Sequence, residues 1–208
     1  MKEKIIKVFG DSHARIFRKL TLPGYKIDCE SISGATITGL PKRISTLNVK
    51  SNIVDYIMHN DPQYIILKFG QVDIDLKYPY YIINGNDTRG FIEKVVNSYE
   101  IFLNEIIKIY DKKKIIIYGI NPPSLLKLES YLEYIGRIIH IDTYAKQQLF
   151  LKMSRSLKER VEISRRFNHQ IHQMCKRLNI NYNEVFEEFL DCNGVTSTNF
   201  TTDRDHHL

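Results

Sequence analysis

Apolar residues in this chain follow two rhythms. Short dense runs, KIIKVF at 4–9, YKIDCE at 25–30, QYIILKFG at 63–70, KKIIIYG at 113–119 and the segment 179–186 around INYNEVF, have the length and β-branched content of strands. Between them, apolar residues recur every three or four positions. That spacing predicts helices over 12–20, with Ala14, Ile16 and Phe17 inward, over 49–59 (Ile53, Val54, Ile57, Met58), over 89–112 and over 154–178. Residues 71–88 read as a long polar, tyrosine-rich loop, NPP at 121–123 stops the fourth strand, and 123–152 reads as helix and loop.

Strands alternating with helices predict an α/β fold with a central parallel sheet. The run QYIILKFG is apolar enough for burial on both faces, as in a sheet covered by helices. No linker or internal repeat divides the chain, so one domain spans 1–208.

Composition narrows the class. The 208 residues are 43% hydrophobic and 26% charged, a globular balance. No apolar run has the length of a membrane span, and the start lacks the pattern of a signal peptide, so a cytoplasmic protein without a membrane partner is expected. Cys29, Cys175 and Cys192 are far apart, which argues against disulfides or a thiolate metal site and for small buried residues. The net charge is +6, with basic residues gathered between Lys152 and Arg177. They read as the solvated face of one long helix, not as a nucleic-acid footprint. His169 and His172 fit that polar face better than a metal pair, and no metal or other cofactor is expected.

Four segments fall where strands of a parallel sheet end, which is where ligands bind in such sheets. They are Gly10-Asp11-Ser12-His13, Ser33-Gly34-Ala35, Gly70-Gln71-Val72-Asp73, and the tail with Asp203, Asp205, His206 and His207. The set suits serine-based acyl transfer. A hydroxyl needs a base to become nucleophilic, an imidazole supplies one, and a carboxylate orients the imidazole. Ser12 fits the nucleophile, His206 the base and Asp203 its partner; Gly34 fits an oxyanion donor that leaves the approach open.

These blocks, GDS at 10–12, the glycine of SGAT at 33–36, GQVD at 70–73 and D-x-x-H at 203–206, resemble in order those of the SGNH/GDSL hydrolase family, across nearly the whole chain. The resemblance implies a three-layer α/β/α, flavodoxin-like fold and an acyl-serine intermediate. It implies an oxyanion hole from the N–H groups of Ser12 and Gly34, and a small-molecule or glycan ester as substrate. The third block departs from the family's G-x-N-D: Val72 stands where an asparagine would donate, and the adjacent Gln71 is the candidate substitute. Asp11, His13, Gly70 and Asp73 are read as supporting the site, with Asp73 bracing it. Asp205 with His207 remains an alternative pair. Members of that family continue into a closing helix, so a chain ending at Leu208 suggests part of a longer multidomain protein.

Other readings stay beside this one. Ser12 could be a helix cap and the glycines turn residues. Tyr78, Tyr80 and Tyr81 could stack on a sugar or anchor their loop. With Val72, the domain could bind glycans or transfer acyl groups as part of a glycan-modifying protein. Asp11-x-His13 also opens a metallophosphoesterase motif, but the later blocks of that motif are missing.

Overall fold

The structure is a computed structural model, and it describes residues 4–42, 46–138, 144, 148, 151 and 155–201. Five strands form one parallel sheet: β1 (Lys4–Gly10), β2 (Tyr25–Ser31), β3 (Tyr64–Lys68), β4 (Ile115–Tyr118) and β5 (Asn181–Asn183). Their spatial order is β2-β1-β3-β4-β5, the flavodoxin-like order, whose switch point lies between β1 and β3. Register brings the strand ends level, because Gly10 pairs with Ser31 on one side and with Lys68 on the other. The three blocks that follow β1, β2 and β3 therefore emerge at one edge.

Residues of alternate parity point to opposite faces. Phe9, Ile65, Leu67, Ile115 and Ile117 pack against α1 (Val49–His59), α3 (Phe91–Ile106) and the longest helix, Leu157–Leu178. Two further helices lie at the carboxyl end of the sheet: α2 (Tyr78–Ile83) and α4 (Leu128–Ile138), which makes Leu157–Leu178 α5. Ile83 of α2 clusters with Tyr131 and Ile135 of α4. The opposite face of the sheet carries Ile6 and Val8, packed under Ala14 and Phe17. The protein is thus a three-layer α/β/α sandwich, as the alternation of strands and helices implies. Among the described residues, no helix is long and apolar enough to cross a membrane.

Several local expectations are corrected. Ser12–Lys19 is a 3₁₀ helix. At three residues per turn, Ala14 and Phe17 eclipse, whereas Ile16 is rotated off the face and is 39% exposed. Residues 71–88 are not a loop throughout: Asp73–Lys77 forms a π-helical turn that runs straight into α2, with Pro79 in its first turn. Here local i,i+5 bonding, as from the Tyr78 N–H to the Asp73 carbonyl, outweighed a composition that reads as loop. The helix expected over 89–112 spans only Phe91–Ile106, entered from Gly90 at φ 69°. Helix α5 starts at Leu157, where Ser156 and Glu159 form a reciprocal capping box. Strand β5, three residues long, is the short strand expected within 179–186. Of the cysteines, Cys175 is buried but Cys192 is exposed.

Candidate active site

Block one is built by steric necessity. A Cβ on Gly10 would lie 2.4 Å from the Lys68 carbonyl oxygen and 2.6 Å from Ala14 Cβ. Glycine therefore lets β1 run close beside β3 and turn at once into the 3₁₀ helix. Asp11 caps that helix. Its Oδ1 accepts the backbone N–H of His13 at 3.0 Å, and its Oδ2 accepts the backbone N–H of Gln71 at 3.1 Å. Its own N–H donates to the Lys68 carbonyl at 3.1 Å. The His13 ring nitrogen Nδ1 stands 3.3 Å from Asp11 Oδ1. Burial opposes the Asp11 charge, yet the His13 bond and the charges of His13 and Lys68 outweigh it and hold the carboxyl below its usual range. Asp11 is the brace between blocks one and three.

Ser12 is the first residue of this helix, directly beyond β1, and is 7% exposed. Among the described residues its hydroxyl makes no hydrogen bond. Block two is tied to block one twice. Ile32 N–H donates to the Gly10 carbonyl at 2.8 Å, and Arg15 of the 3₁₀ helix donates to Ser33 Oγ at 3.0 Å. Gly34 follows at φ 77° with open space where a Cβ would stand. The turn, held beside the Ser12 helix by the Arg15–Ser33 bond, is therefore open on the side where a side chain would stand.

Block three leaves β3 through Gly70, at φ 117°, where a Cβ would meet the Phe167 ring of α5 at 2.7 Å. The next side chain corrects an expectation. Gln71 Nε2 donates to Asp75 Oδ2 at 2.9 Å and to the Asn121 carbonyl at 3.2 Å. Its Oε1 accepts the Asn121 N–H at 2.9 Å. Both amide hydrogens are engaged in clamping block three to the loop after β4, so Gln71 has none left for an oxyanion. Val72 is buried and has no hydrogen to donate.

Asp73 is fully buried. Its Oδ2 accepts the Ile37 N–H at 2.7 Å, and its Oδ1 accepts the Thr38 hydroxyl at 3.2 Å. The carboxylate ties block three to the residues that follow block two. Burial pushes its pKa up to about 6 against the lowering effect of these bonds.

The tyrosines pack on the protein. Tyr78 and Tyr81 lie edge-on to Phe91, each at 5.2 Å, and the Tyr78 hydroxyl accepts from Arg155 at 3.1 Å. Only Tyr80 is exposed, at 47%. Asp203 and His206, like Asp205 and His207, lie outside the described residues.

Sequence reading missed the cationic underside of the site. Lys68 is 2% exposed and donates to the Gly119 carbonyl at 2.5 Å and to Asn121 Oδ1 at 3.1 Å. Burial brings its pKa down to about 8, although Asp11, Asp75 and Glu184 favour the charged form. A lysine inside an otherwise apolar strand was the available signal. Arg160 of α5 was missed too: it donates to the Leu125 carbonyl at 2.7 Å and lies 4.3 Å over the Tyr131 ring. Among the described residues its Nε has no partner, and it lies beside a cavity of about 10 Å³ lined by Asp75, Ser124 and Tyr131, room for one water.

The fold is SGNH-like, and the first three sequence blocks emerge together at one edge of its sheet. Over 99% of its length, the chain superposes on 77% of a Streptococcus pneumoniae protein assigned as a platelet activating factor, with a TM-score of 0.65 and 18% identity. It also matches an acylhydrolase from Bacteroides fragilis, with TM-score 0.54, 13% identity and coverage of 99% and 79% of the two chains. A third similar structure is the periplasmic domain of a lipopolysaccharide acetyltransferase from Salmonella ser. Paratyphi A, with TM-score 0.57, 12% identity and coverage of 93% and 70%. No protein-family model matches the sequence, and no curated protein does.

Proposed function

We propose that this protein is a serine-dependent acyl-ester enzyme. Ser12 attacks the ester carbonyl, its proton passes to His206 oriented by Asp203, and the departing alcohol takes that proton. The resulting acyl-serine is then hydrolysed by water. The N–H groups of Ser12 and Gly34 face the developing oxyanion. The observation that carries this reading is the convergence at one sheet edge of a serine free of side-chain bonds, an open glycine turn and a buried bracing carboxylate. The tail is compatible with it: the Thr196 hydroxyl donates to the Pro123 carbonyl at 2.7 Å, in the loop after β4. The chain thus reaches the carboxyl side of the sheet shortly before residue 203.

The substrate we infer is a small or carbohydrate-linked ester. Transfer of the acyl group to a sugar hydroxyl would use the same residues. The test is hydrolysis of p-nitrophenyl acetate together with labelling by a fluorophosphonate. The intact protein should turn over the ester and take the label on Ser12, and Ser12→Ala should do neither. Equal turnover by the two proteins, with no label on Ser12, rules the proposal out.

A further inference from the structure

Beside Gly34 opens a cleft of about 300 Å³, lined by Gly34, Ala35, Thr36, Gly39, Lys42, Thr46, Leu47 and Val49. That volume is at the lower end of small-molecule sites, enough for a single sugar ring. One wall is block two itself, so a group seated there adjoins the proposed oxyanion donor. The lining offers threonine hydroxyls and one ammonium, and no carboxylate.

The local charge is one-sided. Between Glu30 and Asp55 the described residues include no acid but two lysines, Lys42 and Lys50. Lys50 is engaged, paired with Glu105 of α3. Lys42 is exposed and, among the described residues, makes no ion pair. Behind the wall, Lys77 is bonded to the Thr38 hydroxyl. Burial first, and then the nearby charge of Lys42, lower the pKa of Lys77, while Asp73 opposes them. Asp73 is itself buried and already bonded to Ile37 and Thr38. Lys42 is thus the ammonium of the lining, with Lys77 held behind it on Thr38.

We propose that this cleft binds a negatively charged group of the substrate, a carboxylate or a phosphate on the sugar that bears the ester, with Lys42 as its counter-ion. The proposal rests on the esterase reading for its catalytic consequence but not for binding. A charged group held by the Lys42 ammonium forms a charge-assisted, salt-sensitive hydrogen bond. A neutral sugar gains only the threonine contacts.

The test compares mono-O-acetylated glucuronic acid, glucose 1-phosphate and glucose as esters. The value of kcat/KM should favour one or both charged esters over the neutral one by about tenfold at low salt. The preference should fall towards one with added salt and in Lys42→Gln, and persist in Lys42→Arg. The two charged esters separate carboxylate from phosphate recognition. Calorimetric titration of Ser12→Ala with glucuronate, glucose 1-phosphate and glucose reads binding alone. Anion-selective binding lost on adding Lys42→Gln upholds the cleft even if no ester is hydrolysed. Equal binding of charged and neutral sugars, or a preference indifferent to Lys42, overturns it, whether or not Ser12 proves to be the nucleophile.

Discussion

Asp11 Oδ2 accepts the backbone N–H of Gln71 at 3.1 Å, across 60 residues of chain. The same carboxylate caps the helix that begins at Ser12. One buried anion therefore fixes two of the turns that shape the candidate site, and its charge matters more than its shape. Asp11→Asn keeps an acceptor but loses charge and turns an amide hydrogen towards one of two donors. Loss of a charge-assisted bond should cost about 1.5–3 kcal/mol of stability. Misplacement of Ser12 should lower ester turnover at least tenfold, by an order-of-magnitude estimate. Denaturation curves and p-nitrophenyl acetate kinetics check both, and unchanged stability and turnover would refute the bracing role.

Gly70 joins β3 to block three at φ 117° under the Phe167 ring. Gly70→Ala meets both an unfavourable backbone conformation and a contact of 2.7 Å with that ring. The two costs together should remove at least about 2 kcal/mol. Guanidinium unfolding measures it. Adding Phe167→Leu should recover the steric part and leave the backbone part, so full recovery in the double variant would show that φ is unimportant here.

Asp73 carries a pH signature. Its pKa is about 6 in the folded protein, raised mainly by burial from an ordinary 3.8. Between these values the native state holds a proton that the unfolded chain has lost, so stability falls as pH rises through the window. The full effect is about 3 kcal/mol as an upper bound. Asp73→Asn removes the titration but keeps an oxygen for the Ile37 N–H. Stability measured from pH 4 to 7 should fall less steeply in the variant than in the intact protein. Parallel curves would contradict the buried, titrating carboxyl.

Val72 is buried where the resembling family places a donor. If the site lacks only that donor, Val72→Asn should raise kcat for p-nitrophenyl acetate, by up to the roughly hundredfold typical of one oxyanion hydrogen bond. A rise that requires Ser12 supports an under-equipped hole. No rise means that oxyanion stabilisation does not limit the rate.

The class of fold was legible in the chain because burial dictates it. Runs such as QYIILKFG must be buried on both faces, and helical spacing such as that of Val95, Val96, Tyr99, Phe102 and Leu103 must face a core. Those constraints act over a few residues at a time, so they survive in the one-dimensional pattern. That Asp11 and Asp73 stand just beyond strand ends was legible too, and there each ties two turns together. What the pattern could not carry is partner choice. Gln71 looked like a free amide next to a missing donor, and only Asp75 together with the approach of Asn121, 50 residues on, engages its two hydrogens. Whether Tyr78 and Tyr81 stack on a sugar or anchor their segment was open in the sequence, and both pack edge-on against Phe91. Lys68 looked like one charge in a strand, and packing placed it under Asp11 and Asn121. A hydrogen bond or ring contact is decided within a few ångströms, by residues whose distance along the chain is arbitrary. Apolar periodicity therefore determined the sheet, its helices and the edge where chemistry collects, while tertiary packing decided which polar groups remain free there.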